Sequence, residues 1–271
     1  NLSVETVTNE EIDIALYKAR SFTGCANVGY STGDFPQSAV DELMDVYYEV
    51  KNTTITDENF EENKIKIETA IETFKSRMID ESDTSENVNH IKINESGNMP
   101  STGGVLADTG FTTLLDAKAY TKSGQVIENA DIRWSVFPED DKLEIDGDSL
   151  VVEPGFEGKI TLVAEAEGVY AKYTMDLVSL RSVTVNKFDG KNGKITLEGE
   201  LSASIPLEIT VSINGDDGDE LTEDIFLTDV VLPDESNKFT FEFLVDESVP
   251  YQEITATITG GGVATQEAVS C

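Results

Sequence analysis

Several residue types are scarce in this 271-residue sequence, which has only two cysteines, Cys25 and Cys271, one histidine, His90, and one tryptophan, Trp134. Two cysteines so far apart do not make a disulfide framework, and one histidine with two distant thiols argues against a zinc site. The sequence has no G-x-S-x-G motif, so that a histidine-based hydrolase triad is not indicated either. No apolar run reaches the roughly 20 residues that a membrane-spanning helix needs.

Basic residues are also scarce, since 19 Lys and Arg stand against 53 Asp and Glu and the formal net charge is −34. Divided after residues 87 and 180, the chain carries 19 acidic and 7 basic, then 16 and 7, then 18 and 5 residues, giving −12, −9 and −13. The acidity is therefore uniform. Such a field repels phosphate backbones and anionic lipids, which predicts neither a nucleic-acid partner nor insertion into a membrane.

Residues 1–87 have apolar residues at helical spacing. The three apolar stripes are Ile12, Leu16 and Ala19; Ala39, Leu43, Val46 and Val50; and Phe60, Ile67, Ile71, Phe74 and Met78. Three amphipathic helices joined by short loops predict an up-down-up bundle. The polar, aperiodic stretch 80–87 is a candidate linker.

From Val88 onward the apolar period changes from 3.6 to 2, as in half-buried β-strands. Glycine-containing turns separate short alternating runs over 88–180, and a second such series covers 181–271. Short strands at this spacing predict all-β sandwiches. The predicted fold class is therefore multidomain α plus all-β: a three-helix bundle (1–87) followed by two immunoglobulin-like β-sandwiches (88–180 and 181–271).

Two stretches of the first β region, ADIRWSV and LEIDGDSLVVEPGFEGKITLVAEAEG, resemble a bacterial immunoglobulin-like (Big) domain. The shared elements are a W-S-V strand, a D-G turn, an L-x-V strand and G-x-I-T-L-x-A. The preceding LDAKAYTKSGQVIENA is similar to the second strand and turn of that family. GKITLEGELSASIPLEITVSI and SNKFTFEFLV, further on, are similar to immunoglobulin-like or fibronectin-type modules.

The helical part resembles the FIVAR module of Gram-positive surface proteins. The similarity lies in a loop ending G-x-F-P and the following A-x-x-x-L, here Gly33, Phe35, Pro36, Ala39 and Leu43, and in IETAIETF on the third helix. Together these resemblances imply a modular bacterial protein outside the cell, secreted or associated with the wall. They imply no catalytic residue.

The loop 25–43 also holds the candidate ligand-binding residue Tyr30, an aromatic side chain that could stack on a sugar. Its glycines do not follow a strand and it contains no Lys or Arg, which argues against a phosphate-binding loop. Phe35 is expected to pack into the bundle. His90 and Trp134 are interpreted as structural residues of the sandwich.

A candidate calcium site lies in NGDDGDELTED, where Asp216, Asp217 and Asp219 could supply oxygen ligands. The spacing is not that of an EF-hand, and Asn-Gly between two alternating runs also fits a solvated hairpin tip. No cofactor is required by any motif, and calcium is the one that the sequence allows. Paired carboxylates could serve glycoside hydrolysis, but they are too abundant here to indicate it.

The sequence therefore predicts a non-catalytic accessory region of an extracellular bacterial protein, which spaces or presents other domains and binds glycan or matrix weakly. Its expected partners are the other domains of the parent protein and a cell-wall or host glycan or matrix protein. One alternative is a set of substrate-engaging modules beside a polysaccharide lyase or glycoside hydrolase. A second is a calcium-stiffened adhesin.

Overall fold

A computed structural model of the chain describes residues 10–100, 103–189, 194–216, 225–244, 253–260 and 264–270. Its helices are α1 (Glu10–Cys25), α2 (Gln37–Asn52) and α3 (Phe60–Ser76). The strands that follow are β1 (His90–Ile93), β2 (Gly104–Leu106), β3 (Phe111–Leu114), β4 (Ala117–Tyr120), β5 (Arg133–Phe137), β6 (Leu143–Asp146), β7 (Ser149–Val152), β8 (Gly158–Ala166), β9 (Val169–Val178), β10 (Leu180–Asp189), β11 (Lys194–Leu201), β12 (Leu207–Asp216), β13 (Ile225–Val231), β14 (Lys238–Leu244), β15 (Glu253–Gly260) and β16 (Ala264–Ser270). The predicted change from three helices to several β-sheets is confirmed.

The chain divides into two compact units. The first comprises Asn1–Ile93, Ala117–Arg133 and Ala164–Lys172, and the second Asn94–Asp116, Trp134–Val163 and Tyr173–Cys271. The first unit therefore holds the three helices together with β1, β4 and the hairpin between β8 and β9. The domain boundaries expected after residues 87 and 180 stay predictions.

The helical bundle of the first unit is held by an apolar core to which all three helices contribute. Its buried members are Ile12, Ala15, Ala19, Ala39, Leu43, Tyr47, Val50, Ile67, Ile71 and Phe74. Burying a large aliphatic side chain fully contributes about 1.5–3 kcal/mol, so this core rather than helix propensity stabilises three short helices. Acidic first turns on α1 and α3 complement the helix dipoles.

The loop between α1 and α2 is a structural corner of the bundle. Gly33 has φ +92°, a backbone conformation that favours glycine, and Pro36 precedes the first residue of α2. Phe35 stacks on Phe74 of α3, with ring centroids 4.3 Å apart and planes 7° from parallel. The expected packing of Phe35 into the bundle is confirmed.

The polar stretch after α3 is tied down at both ends. Backbone hydrogen bonds join Gly33 N to Ile79 O (2.9 Å) and Ile79 N to Asp34 O (2.8 Å), and Ile79 is buried. Asp80 N then donates to Lys122 O at 3.2 Å. At the far end, Val88 N donates to a carboxylate oxygen of Glu167 at 3.1 Å. The candidate linker is therefore an anchored connection.

Beyond this connection β1 pairs antiparallel with β4, so that His90 lies opposite Tyr120. The other four sheets have the strand orders β2-β9-β8-β5, β3-β7-β6, β10-β11-β14 and β13-β12-β15-β16. β2 runs parallel to β9, whereas the neighbouring pairs with a described register in the other sheets are antiparallel.

The second unit has apolar side chains of β2, β7, β8 and β9 in its interior. The fully buried ones are Val105, Leu106, Leu150, Ile160, Leu162, Met175, Leu177 and Val178. Trp134, expected in this core, lies half-buried on the edge strand β5. An edge strand has a neighbour on one side only, which leaves part of its side-chain surface open to water.

The passage from β9 to β10 in the second unit is fixed by hydrogen bonds to backbone groups. Both carboxylate oxygens of Asp108 accept the Leu180 N–H, at 2.9 and 3.0 Å. Ser179 N donates to Ser202 Oγ at 2.9 Å, and Ser202 N to Ser179 O at 2.8 Å. Gly104 N donates to Pro206 O at 3.2 Å. These contacts set the direction in which the chain enters β10.

Candidate functional site

Tyr30, the predicted ligand-binding residue, lies in the corner loop and packs beside β1. Its ring centroid is 5.0 Å from that of His90, and the Lys92 ammonium lies 4.0 Å from the Tyr30 centroid. The side chain is about half exposed. Tyr30 thus contacts β1 with one part of its ring while the rest faces solvent, and its ligand role stays a prediction.

His90 forms the centre of an aromatic cluster with Tyr30 and Tyr120. The imidazole stacks on Tyr120 with centroids 5.1 Å apart and planes 5° from parallel, and it is almost completely buried. Lys92 also lies 4.5 Å from the Tyr120 centroid. An ammonium between two aromatic faces gains cation–π attraction. The cluster joins the corner loop of the bundle to both strands of the β1–β4 pair.

A buried ion pair lies next to this cluster. Arg77, at the C-terminal end of α3, donates from Nη1 to Glu42 Oε2 of α2 at 2.8 Å and from Nη2 to Ser38 Oγ at 3.2 Å. The side chains are 7% and 16% exposed for Arg77 and Glu42. The Arg77 carbonyl accepts from Asn89 Nδ2 at 3.2 Å. The pair thereby joins two helices to the chain that enters β1.

Glu42 and Asp45 extend this contact to strand β9. Glu42 Oε1 accepts the Tyr170 N–H at 3.2 Å, while Asp45 Oδ2 accepts the Tyr170 hydroxyl at 2.7 Å and pairs with the Lys172 ammonium. We call Glu42, Asp45, Arg77, Tyr170 and Lys172 the polar latch. Successive turns of α2 place both carboxylates on one face, from which they hold two alternate residues of β9.

The latch perturbs the acidity of two of its members. Burial raises the pKa of Glu42 above its ordinary 4.5, an effect that the Arg77 charge and the hydrogen bonds only partly oppose. Burial also raises the pKa of the Tyr170 hydroxyl, and the hydrogen bond to Asp45 and its charge add to the rise. Both groups are held where their charged forms are disfavoured.

The predicted calcium ligands lie at the end of β12. Asp216 is its last residue, whereas Asp217 and Asp219 lie outside the described residues. Within the described ranges, no three His, Cys, Asp or Glu residues converge as metal ligands would. Calcium binding by these three aspartates stays a prediction, and a rise in melting temperature with millimolar calcium would support it.

The polar latch could not have been found from the sequence. Glu42 and Asp45 are two of 53 acidic residues, and Tyr170 is 128 positions from Glu42 along the chain. A weak signal did exist in the acidic stripe of α2 at helical spacing, Asp41, Glu42, Asp45 and Glu49. Such a stripe fits a solvated helix face equally well.

No protein-family model matches the chain, and no curated protein matches it. In the described residues no helix is long and apolar enough to cross a membrane.

Several solved structures align with part of the chain. Extracellular domains 3–5 of Drosophila OTK are 13% identical over 67% of this chain and 60% of that one, with a TM-score of 0.25. The adhesin InvE of Yersinia pseudotuberculosis is 10% identical over 66% and 57%, with a TM-score of 0.23. Immunoglobulin domains 1–5 of Sidekick-1 are 12% identical over 67% and 38%, with a TM-score of 0.25.

This chain spans less than two thirds of each of those three proteins. TM-scores this low do not establish a common fold.

Proposed function

We propose that this chain is a non-catalytic region of an extracellular modular protein, which spaces or presents neighbouring domains and binds glycan or matrix weakly. The observation that carries this proposal is the polar latch. It joins the helical bundle to β9 by direct side-chain contacts within one compact unit. A presenting region needs such a fixed joint, because a free hinge would let the presented part reorient.

We infer further that the two β regions are immunoglobulin-like sandwiches. The first has sheets of four strands (β2-β9-β8-β5) and three strands (β3-β7-β6), and the second likewise has four (β13-β12-β15-β16) and three (β10-β11-β14). Seven strands divided four and three between two sheets is the constant-type immunoglobulin layout. The extracellular address rests on the resemblance to Big and FIVAR modules.

The scarcity of histidine and cysteine in the sequence supports a non-catalytic role. The single histidine is buried in an aromatic stack, and the one described cysteine, Cys25, is exposed and unpaired. Glu42 and Arg77 are hydrogen-bonded to each other, at 2.8 Å between Arg77 Nη1 and Glu42 Oε2. Release of product from a panel of cell-wall and matrix polysaccharides would contradict this part of the proposal.

The contact that the polar latch makes between the helical bundle and β9 is tested by native-state hydrogen exchange on the full chain. We expect α2 and residues 164–172 to open together, with the same free energy, because the latch couples them. Glu42→Gln should separate the two openings and make 164–172 exchange faster. Glu49→Gln is the matched control on the same helix, since Glu49 pairs with Lys66 at the surface. Independent opening in the unsubstituted chain would overturn the presenting role.

A further inference from the structure

One groove of the helical bundle is lined by aromatic and cationic side chains that do not belong to the polar latch. It lies between α1 and α2 and has a volume of about 510 Å³. Leu16, Tyr17, Arg20, Tyr47 and Lys51 line it together with one acid, Asp13. No residue of α1 belongs to the latch.

Two cations in the groove, Arg20 and Lys51, lack an acidic partner in the described part of the chain. All four basic residues between 60 and 77, Lys64, Lys66, Lys75 and Arg77, form ion pairs. In the described part of the chain, neither Arg20 nor Lys51 has a carboxylate within 4.0 Å. The chain as a whole has 53 acids and 19 bases, whereas the groove lining has two cations and one acid, Asp13, which reverses that balance locally.

The aromatic residues of the groove are arranged for contact with a partner. Tyr17 is 78% exposed, and Tyr47 is buried in the floor with the Lys51 ammonium 5.5 Å from its ring centroid. Tyrosine and arginine are over-represented among the residues that dominate protein–protein binding energy. The lining from Asp13 to Ser21 runs about 12 Å along α1, at 1.5 Å per residue, which suits two turns of a peptide helix.

We propose that the α1–α2 groove is a docking site for an acidic segment of a partner protein. Carboxylates of that segment pair with Arg20 and Lys51, and its apolar side chains contact Leu16, Tyr17 and Tyr47. The chain's net charge of −34 repels such a segment at long range. Because the Debye length is about 8 Å at physiological salt, the two groove cations decide binding at contact. The proposal deepens the partner-binding part of the proposed function and rests on it.

The test uses two 16-residue peptides, the length of α1, with leucines at helical spacing. Glutamates separate the leucines in one peptide and lysines in its twin. We expect the glutamate peptide to bind the full chain with amide shift changes confined to α1 and α2 in an NMR titration. Net charge alone predicts the opposite preference, so tighter binding of the lysine twin would overturn the proposal. No binding of the glutamate peptide up to about 1 mM would overturn it as well.

Substitutions then locate the site. Arg20→Gln and Tyr17→Ala should each weaken binding about tenfold, and Tyr17→Phe should restore most of it because the ring remains. Lys18→Gln is the matched control, since it removes the same charge from the neighbouring α1–α3 groove and should leave the affinity unchanged. An equal loss with Lys18→Gln would show that total charge, not the groove, governs binding and would contradict the proposal.

A saccharide occupant is distinguished by competition. Displacement of the peptide by tetragalacturonate, but not by its methyl ester, would make the groove an acidic-saccharide site and overturn the assignment to a protein partner. Failure of the peptide to bind leaves the coupled opening of α2 and residues 164–172 unaffected. The docking proposal and the presenting role can therefore fail separately.

Discussion

The two units join their parts by different means. In the first unit the bundle and β9 meet through charged side chains, with Glu42 and Arg77 buried as a pair. In the second unit the passage into β10 is held mostly by backbone N–H groups, two of them bound by Asp108 and Ser202. A buried ion pair tolerates few geometries and adds little net stability. The first joint therefore depends on two particular charged side chains, whereas the second depends mostly on backbone groups.

The largest loss in the free energy of unfolding is expected when a side chain of the apolar core is truncated, and it should exceed the losses at the two joints. Leu162→Ala, at a fully buried position of β8, should lower the free energy of unfolding by about 2–5 kcal/mol. Leu114→Ala, on β3 where the side chain is 70% exposed, is the matched control and should change it by under about 0.5 kcal/mol. Chemical denaturation measures both. Equal effects would show that burial in this core is not what stabilises the unit.

Removing one partner of the buried pair should come next in size. Arg77→Met leaves the Glu42 carboxylate buried without its counter-charge and should cost about 3 kcal/mol. Combining it with Glu42→Leu removes the second charge too, so the double variant should be more stable than Arg77→Met alone. A double variant that shows simply additive losses would mean that the two side chains do not interact.

The joint of the second unit should be less sensitive. Asp108→Ala removes a charged acceptor of the Leu180 N–H. Hydrogen bonds to charged groups contribute about 1.5–3 kcal/mol, but the contribution is smaller where water can replace the acceptor. Asp108 is half-buried, so water can reach this position. We expect a loss of about 1 kcal/mol. Asp108→Asn retains one acceptor oxygen and should recover part of it. A loss larger than that of Arg77→Met would reverse the contrast between the joints.

The pH dependence of the latch follows from the raised pKa of Glu42. The folded chain holds this proton more tightly than the unfolded chain, so its stabilising contribution is complete below the ordinary pKa of 4.5 and is lost as pH rises through the folded-state pKa. The free energy of unfolding of the native chain, relative to Glu42→Gln, should therefore fall as pH rises above 4.5. A relative free energy that instead rises with pH would show that the Arg77 charge lowers the pKa of Glu42 more than burial raises it.

The smallest effect is expected at the surface of the same helix. Glu49 of α2 pairs with Lys66 of α3, but these side chains are 57% and 39% exposed. Lys66→Gln should change the free energy of unfolding by about 0–1 kcal/mol, and added salt should reduce even that. A loss approaching that of Arg77→Met would mean that exposure does not separate the two ion pairs.

Local patterns predicted the three helices and the region of strands that follows them. The stripes on residues 12–19, 39–50 and 60–74 became α1, α2 and α3, and Phe35 packs where the corner loop suggested. The alternation of apolar and polar residues does not indicate strand β9. Its buried face includes an alanine and a partly exposed tyrosine, which weaken that alternation. Met78, assigned to the third stripe, lies beyond the end of α3 and is 40% exposed.

The candidate sites were harder to predict, because their chemistry depends on environment. The sequence shows Tyr30 as an aromatic residue in a glycine-containing loop, and the structure adds that Lys92 and His90 lie against its ring. The α1–α2 groove was not predicted, since Tyr17 and Arg20 belong to the polar side of an ordinary amphipathic pattern. Whether such residues converge with Tyr47 and Lys51 depends on how two helices pack.

The sequence by itself determined that three helices precede a region of strands, the uniform negative charge and the scarcity of histidine and cysteine. Each of these follows from composition or from a period of a few residues. Only the tertiary structure decided which acids are buried, because burial of Glu42 requires contact with Arg77 and with Tyr170, 128 residues away. Local backbone geometry determines the spacing of apolar residues along a helix or strand. Contact between residues so far apart in the sequence is determined by the packing of the whole unit.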